Sequence, residues 1–291
     1  TRGYHKTDPN VKHQKALPIR VYEQVHNQAV NDLDRAIAFL LSGALFFAMR
    51  SCEYSATSRA TEQRTKTISV QNIRFYKHKR ILHHQSKHLS QADAVALTFE
   101  DQKNGKKFDT VTMHRTSHRF LCPVKSWAFT VQRLRAYPGF CPTWTVDTWV
   151  ENGVRTRIKS TAVLLKIRSA VRWWGPDNLG FLETEVGTHS NRSSTAMLMY
   201  LNNIPVYTIM LVGRWSSEAF LLYSRKQVLS FTRGISNKML LTEDFYTIPD
   251  EQNTSTEDPR RPHDVNAFAT VHGAQPARHM RVVAPAITVW H

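Results

Sequence analysis

Five side-chain types in this 291-residue chain sit at spacings that could act on a phosphate. Arg50 closes the apolar run Ala36–Met49. A guanidinium cannot shed its charge in a protein, so at the mouth of a buried helix it needs an anion or a carboxylate. Glu53, three residues on, shares its face if the helix continues, so a structural Arg50–Glu53 pair is as open as an anion site. His189 and Arg192 form an HxxR pair. Near a helix start both would lie on one face, and the positive end of the helix would add to an anion site. A donor fork beside an imidazole is what a phosphate undergoing substitution requires, although such a pair also occurs on solvated helices. Tyr223 lies in the stretch GRWSSEAFLLYSR, Gly213–Arg225, eight residues after Trp215. Taken singly it reads as a packing residue. Lys103 stands just before Asn104-Gly105.

Two further groups have other readings. His78, His83, His84 and His88 cluster within KHKRILHHQSKH, without a Cys or carboxylate at zinc-ligand spacing. A basic loop touching backbone phosphate, or a solvated loop, is preferred to zinc, and no metal site is expected. Trp173-Trp174 reads as a core pair.

Lys and Arg number 39 against 23 Asp and Glu, a formal charge of +16 that points to a polyanion partner, most often nucleic acid. Hydrophobic residues make up 41%, enough for a packed core, which excludes a wholly disordered chain. The length suits one large domain or two small ones. Three cysteines without a CxxC pair suggest a reducing compartment and no disulfide framework. The run Ala36–Met49 falls short of the roughly 17–25 residues that span a bilayer, so it reads as a buried core helix and no membrane association is expected. Nothing near Thr1 resembles a signal peptide, and the absence of an initial Met suggests a fragment or processed product.

The elements that must position these groups follow from periodicity. A polar, basic arm over 1–16 leads to a helical stretch over 19–31 and the apolar helix over 33–49. Ile68, Val70, Ile73 and Phe75, then Val95, Leu97 and Phe99, read as strands. Asn104-Gly105 is a strong hairpin signal, and Phe108, Val111 and Met113 return from it. A small antiparallel sheet is therefore expected between residues 68 and 113. Pro123 suits a first helical position, and the apolar spacing that follows runs to Pro138-Gly139. Ser160-Thr161 could cap a second helix. Two more are expected over 188–201 and from Pro205 to Gly213. Residues 244–291 read as a linker and tail, with a strand at 282–290 as one option. The fold class is α+β, mainly helical with a small antiparallel sheet.

In this order the motifs resemble the catalytic domain of the tyrosine recombinases, or phage-integrase-type recombinases, over about residues 17–243. GALFFAMRSCEYS, with Arg50 and Glu53, is similar to the family's first-arginine stretch. His189-Ser190-Asn191-Arg192 resembles its HxxR motif, Tyr223 its nucleophile, and Lys103 its hairpin lysine. Trp215 resembles the family's His/Trp position. Family members usually keep nine residues there rather than eight, which makes Arg214 the alternative. GRWSSEAFLLY is especially like eukaryotic transposon recombinases of the Crypton and DIRS groups. The resemblance implies double-stranded DNA as partner and a site-specific recombinase or transposase working through a 3′-phosphotyrosine. It also implies a nuclear location and a DNA-dependent homo-oligomer, dimer or tetramer.

On that reading Arg50 and Arg192 clamp the phosphate, His189 is the general base and Lys103 the general acid. Lys106 and Lys107 rival Lys103. Lys106, Lys107, Arg214 and Arg225 are assigned to DNA contact, with Glu53 in support. No cofactor, ATP or metal is implied. The alternatives are a type IB topoisomerase-like enzyme, and a domesticated helix-turn-helix DNA-binding module without catalysis.

Overall fold

The chain divides into two units, Thr1–Arg233 and Gly234–His291; the boundary read from the sequence after residue 243 lies outside the described residues. The computed structural model describes residues 14–57, 65–101 and 107–215, all of them in the first unit. The expected tail over 244–291 lies outside the described residues.

The described residues form an α+β fold, mainly helical, with one four-stranded antiparallel sheet and a separate two-stranded hairpin. None of their helices is long and apolar enough to cross a membrane. The helical stretch expected over 19–31 ends earlier. Helix α1 is Ile19–Asn27, and α2 is Asp32–Phe46. Asn31 separates them because its side chain accepts the Asp34 N–H at 2.8 Å, an N-cap that starts a new helix. Helix α2 is buried on almost every side, so it is the axis about which the rest packs.

The apolar helix was expected to reach Met49 and stops three residues short. The Met49 N–H bonds the Ala44 carbonyl, the Ala48 N–H bonds that of Leu45, and Ala48 takes φ 46°. This is a Schellman-type ending with alanine where glycine is usual. Hydrophobicity alone does not show such a stop, since Phe47, Ala48 and Met49 are all fully buried. A short helix, α3 (Ser51–Tyr54), follows at once with Arg50 as its N-cap residue.

The expected sheet forms from β1 (Ile73–Lys77), β2 (Arg80–Leu82), β3 (Ala94–Asp101) and β4 (Lys107–His114), in the order β2-β1-β3-β4. Strands β3 and β4 pair antiparallel, Leu97 opposite Val111 and Asp101 opposite Lys107, one residue off the register that a two-residue Asn104-Gly105 turn sets. The Asn104-Gly105 tip lies outside the described residues. Ile68 and Val70 precede the first strand: Ile68 is irregular, and Val70 begins a 3-10 turn. Phe108 is in β4 as expected, but at φ 54° it is exposed, so Val111 is the β4 residue that enters the core.

Helix α4 (Pro123–Arg135) has its proline in the first turn, as expected. The hairpin of β5 (Thr148–Glu151) and β6 (Val154–Arg157) was not anticipated. Its turn is a second Asn-Gly, Asn152-Gly153, with φ 51° and 75°, as a type I′ turn requires. Every residue of β6 is exposed, so no apolar alternation announces it. Helix α5 (Ser160–Trp174) has Lys159 at its N-cap position, with no side-chain capping bond, rather than Ser160 or Thr161. Trp173 is 60% exposed and not a core residue; Trp174 is half-buried and donates its indole N–H to the Arg20 carbonyl. After the short α6 (Pro176–Leu179) come α7 (Ser190–Leu201) and α8 (Val206–Gly213), close to their expected bounds.

Candidate active site

Helices α2 and α8 end against each other in the same way. At the end of α8 the Trp215 N–H bonds the Met210 carbonyl, the Arg214 N–H bonds that of Leu211, and Arg214 sits at φ 55°. Both helices therefore present unsatisfied carbonyls, the negative ends of their dipoles, to one junction. Two guanidinium groups fill it. Arg192, one turn into α7, donates from Nη1 to the Ala48 carbonyl and from Nη2 to the Gly213 carbonyl. Arg214 donates from Nη1 to the Phe47 carbonyl at 3.4 Å. Thr195 Oγ1 donates to the Leu45 carbonyl at 2.5 Å.

Glu53 is the counter-charge. Its side chain is fully buried, accepting the Arg50 N–H at 2.8 Å and Arg50 Nη1 at 3.0 Å. It also accepts Arg214 Nη2 at 2.7 Å. The Arg50–Glu53 pair expected from the spacing is thus present, but it arises from the cap of α3 and not from a continuing α2. The Arg50 side chain is 18% exposed, so it lies at the rim of the junction.

Trp215 lies over Arg192, with the guanidinium carbon 4.4 Å from the ring centroid. Gly213 makes this approach achievable: a Cβ there would fall 1.6 Å from the Trp215 ring. Arg214 stacks in the opposite direction, 3.4 Å over Phe99 of β3. Burial draws the Arg214 guanidinium below its ordinary value, while the Glu53 carboxylate works the other way. The Cys52 thiol, beside the same cluster, is pushed up to about 11 by burial and by Glu53, against the charges of Arg50 and Arg192.

His189 is the N-cap residue of α7 and is exposed. Its backbone N–H donates to Gln14 Oε1 at 2.7 Å. The Lys15 N–H bonds the Glu185 carbonyl, and the Leu17 N–H bonds Ser194 Oγ at 2.7 Å. Residues 14–16, read as the end of an arm, therefore run against the start of α7. The first turns of α7 are polar yet buried, and several of their oxygens are bonded internally. Ser194 Oγ donates to the Ser190 carbonyl, and Asn191 Oδ1 accepts the Tyr22 hydroxyl at 2.9 Å.

The structure thus brings Arg50, Glu53, Arg192, Arg214 and Trp215 to one junction, with His189 at the head of the helix that carries Arg192. Arg214 is 3% exposed and tied to Glu53, a different position from the DNA-facing one expected. Lys107 opens β4 on the sheet, opposite Asp101. Lys103, Lys106, Tyr223 and Arg225 lie outside the described residues. Sequence reasoning missed Thr195 and the Glu53–Arg214 link. Residues 53 and 214 are 161 apart, and no local spacing signals the pair.

In the histidine-rich stretch, His84 Nε2 meets the Ile73 carbonyl at 2.6 Å and His88 Nδ1 meets Gln91 Oε1 at 3.2 Å. No group of three metal-ligating side chains occurs among the described residues.

No family model matches the chain, and no curated protein does. Among solved structures it is similar to the XerH site-specific recombinase bound to palindromic difH substrate in a post-cleavage complex. The identity is 15% and the TM-score 0.47, covering 78% of this chain and 54% of that one. It is also similar to the Tn1549 transposon integrase in complex with circular intermediate DNA. There the identity is 10% and the TM-score 0.38, over 79% of this chain and 66% of that one. The chain thus spans about half the length of the XerH protein it matches.

Proposed function

We propose that this chain is the catalytic part of a tyrosine recombinase or transposase that cleaves and rejoins double-stranded DNA through a 3′-phosphotyrosine. The observation that carries the reading is the convergence of Arg50, Arg192 and Trp215, from three distant segments, on the junction of α2 and α8. The motif order read from the sequence supports it independently.

In this mechanism the Tyr223 oxygen attacks the phosphorus while the bond to the 5′-oxygen breaks. Arg50 and Arg192 stabilise the charge on the non-bridging oxygens, the work a metal ion does in other phosphoryl-transfer sites. His189 takes the phenolic proton, and Lys103 delivers one to the departing 5′-oxygen. A second 5′-hydroxyl reverses these steps and reseals the strand. Neither ATP nor a metal enters the scheme. The roles of Lys103 and Tyr223 rest on the resemblance, as do the homo-oligomer on DNA, the nuclear location and the link to transposon recombinases.

A suicide substrate, whose nicked strand diffuses away after cleavage, tests the proposal. The parent is expected to form a covalent protein–DNA adduct that maps to Tyr223. Tyr223→Phe is expected to lose the adduct and keep its DNA affinity, because the change deletes one hydroxyl. An adduct on another residue, or none in the parent, overturns the mechanism.

A further inference from the structure

We infer that Arg214 is a positioning residue that holds Glu53, and through it Arg50, in place at the junction of α2, α3 and α8. The inference rests on the reading of Arg50 and Arg192 as the phosphate clamp.

Three observations carry it. Glu53 has two carboxylate oxygens and three donors: Oε1 takes Arg50 Nη1, and Oε2 takes both the Arg50 N–H and Arg214 Nη2. With only the Arg50 contacts, the carboxylate would be held from one side, by the short α3 alone. Second, the Arg214 fork is divided between two consecutive elements, with Nη2 on Glu53 of α3 and Nη1 on the carbonyl of Phe47, the C-cap residue of α2. The stack on Phe99 fixes the plane of that fork. A lysine ammonium is a single point on a flexible stem and cannot reproduce this planar, divided grip. Third, the Arg214 backbone is in the left-handed region, where a side chain is disfavoured. Asn203, which closes α7 by the same pair of bonds at φ 58°, is a residue type that tolerates that region; arginine is not. The junction therefore keeps a strained arginine whose side chain is spent on Glu53 rather than on solvent or DNA.

The chemical consequence concerns geometry. A guanidinium aimed at a phosphate must be held to within a fraction of an ångström, and misplacement by about 1 Å costs as much as 10²-fold in rate. The experiment measures single-turnover cleavage by the full chain carrying Arg214→Lys, alone and combined with Arg50→Ala. DNA affinity and thermal melting are measured alongside. Arg214→Lys alone is expected to slow cleavage roughly 10- to 100-fold, with the Kd for DNA within about twofold, since the side chain is buried and turned to Glu53. In the Arg50→Ala background it is expected to slow cleavage by less than about twofold, because its effect passes through Arg50.

Losses that multiply in the double variant overturn the inference, as does a fall in DNA affinity with a smaller salt slope, the sign of a direct phosphate contact. A parent-like rate for Arg214→Lys overturns it as well. If the parent forms no adduct, the functional reading fails instead. The positioning link is then decided by a melting cycle of Arg214→Lys with Glu53→Gln, in which non-additive losses uphold it and additive losses sink it.

Discussion

Along α2, buried polar groups gather at two levels: about two-thirds of the way along, around Ser42, and past Phe46, at the C-terminal end. At the first level, His26 of α1 meets Ser42 Oγ at 2.7 Å, its ring stacked on Phe120 and edge-on to Phe39. Burial, with the nearby His118, lowers His26 to about 4, so it is neutral at neutral pH. At the second level Arg192, Arg214 and Glu53 are buried more deeply than the half-buried His26, and there charge is matched by charge. The difference lies in what the helix offers. In mid-helix the carbonyls are taken by the N–H groups four residues on, and an ionisable neighbour is left to give up its charge. At the end the carbonyls are free and sit at the negative pole, where cations are favoured. The same helix thus borders a neutral imidazole at one level and matched charges at the other.

The sharpest way to break this contrast is Glu53→Gln. It leaves Arg214 buried without a carboxylate and is expected to lower stability by about 3–5 kcal/mol, read from the urea midpoint. A loss below about 1 kcal/mol would show that the helix ends hold the cations unaided.

Acid tests the neutral level. His26 has a lower value folded than its ordinary 6.5, so protonation favours the unfolded chain. Stability is expected to fall as pH drops below about 6.5 and to level off below about 4, a loss of up to about 3 kcal/mol. Urea melts between pH 7 and 4 should show this part of the slope disappear in the double variant His26→Phe, Ser42→Ala. An unchanged slope would mean that His26 is charged in place.

The smallest effect belongs to packing beside the neutral level. A Cβ on Gly43 would meet Trp127 Cε2 at 2.9 Å. For Gly43→Ala, overpacking of about 1–3 kcal/mol outweighs a helix-propensity gain of about 1 kcal/mol. A slight net loss in melting temperature is expected, and a gain would mean that the indole shifts freely.

What the sequence made legible was whatever is encoded locally. Pro123, the β3–β4 pairing and the i,i+3 spacing of Arg50 and Glu53 all depend on neighbours a few residues away. The end of α2 was not legible, because Ala48 adopts its left-handed turn against Arg192, 144 residues on, inside an uninterrupted apolar run. The β5–β6 hairpin escaped for the opposite reason: it buries little, so only Asn152-Gly153 marks it. At the candidate site, residue types and order were readable. That Arg214 turns inward to Glu53 was not, since nothing local distinguishes it from a DNA-facing arginine.

The junction also has a consequence for how its history would be recorded. Arg192, Thr195 and Arg214 all grip main-chain oxygens at the end of α2 and just past it, on Ala48, Leu45 and Phe47. Every amino acid supplies that oxygen, so positions 45 and 47 can vary among apolar types without disturbing the grip, whereas position 48 is held to small residues by its left-handed backbone. The side chains that grip them cannot vary in this way. Covariation between aligned positions would therefore miss these contacts, and among relatives the junction would show as invariance on one side only. The Glu53–Arg214 link, side chain to side chain, is the part of the junction that substitution could rewrite in pairs.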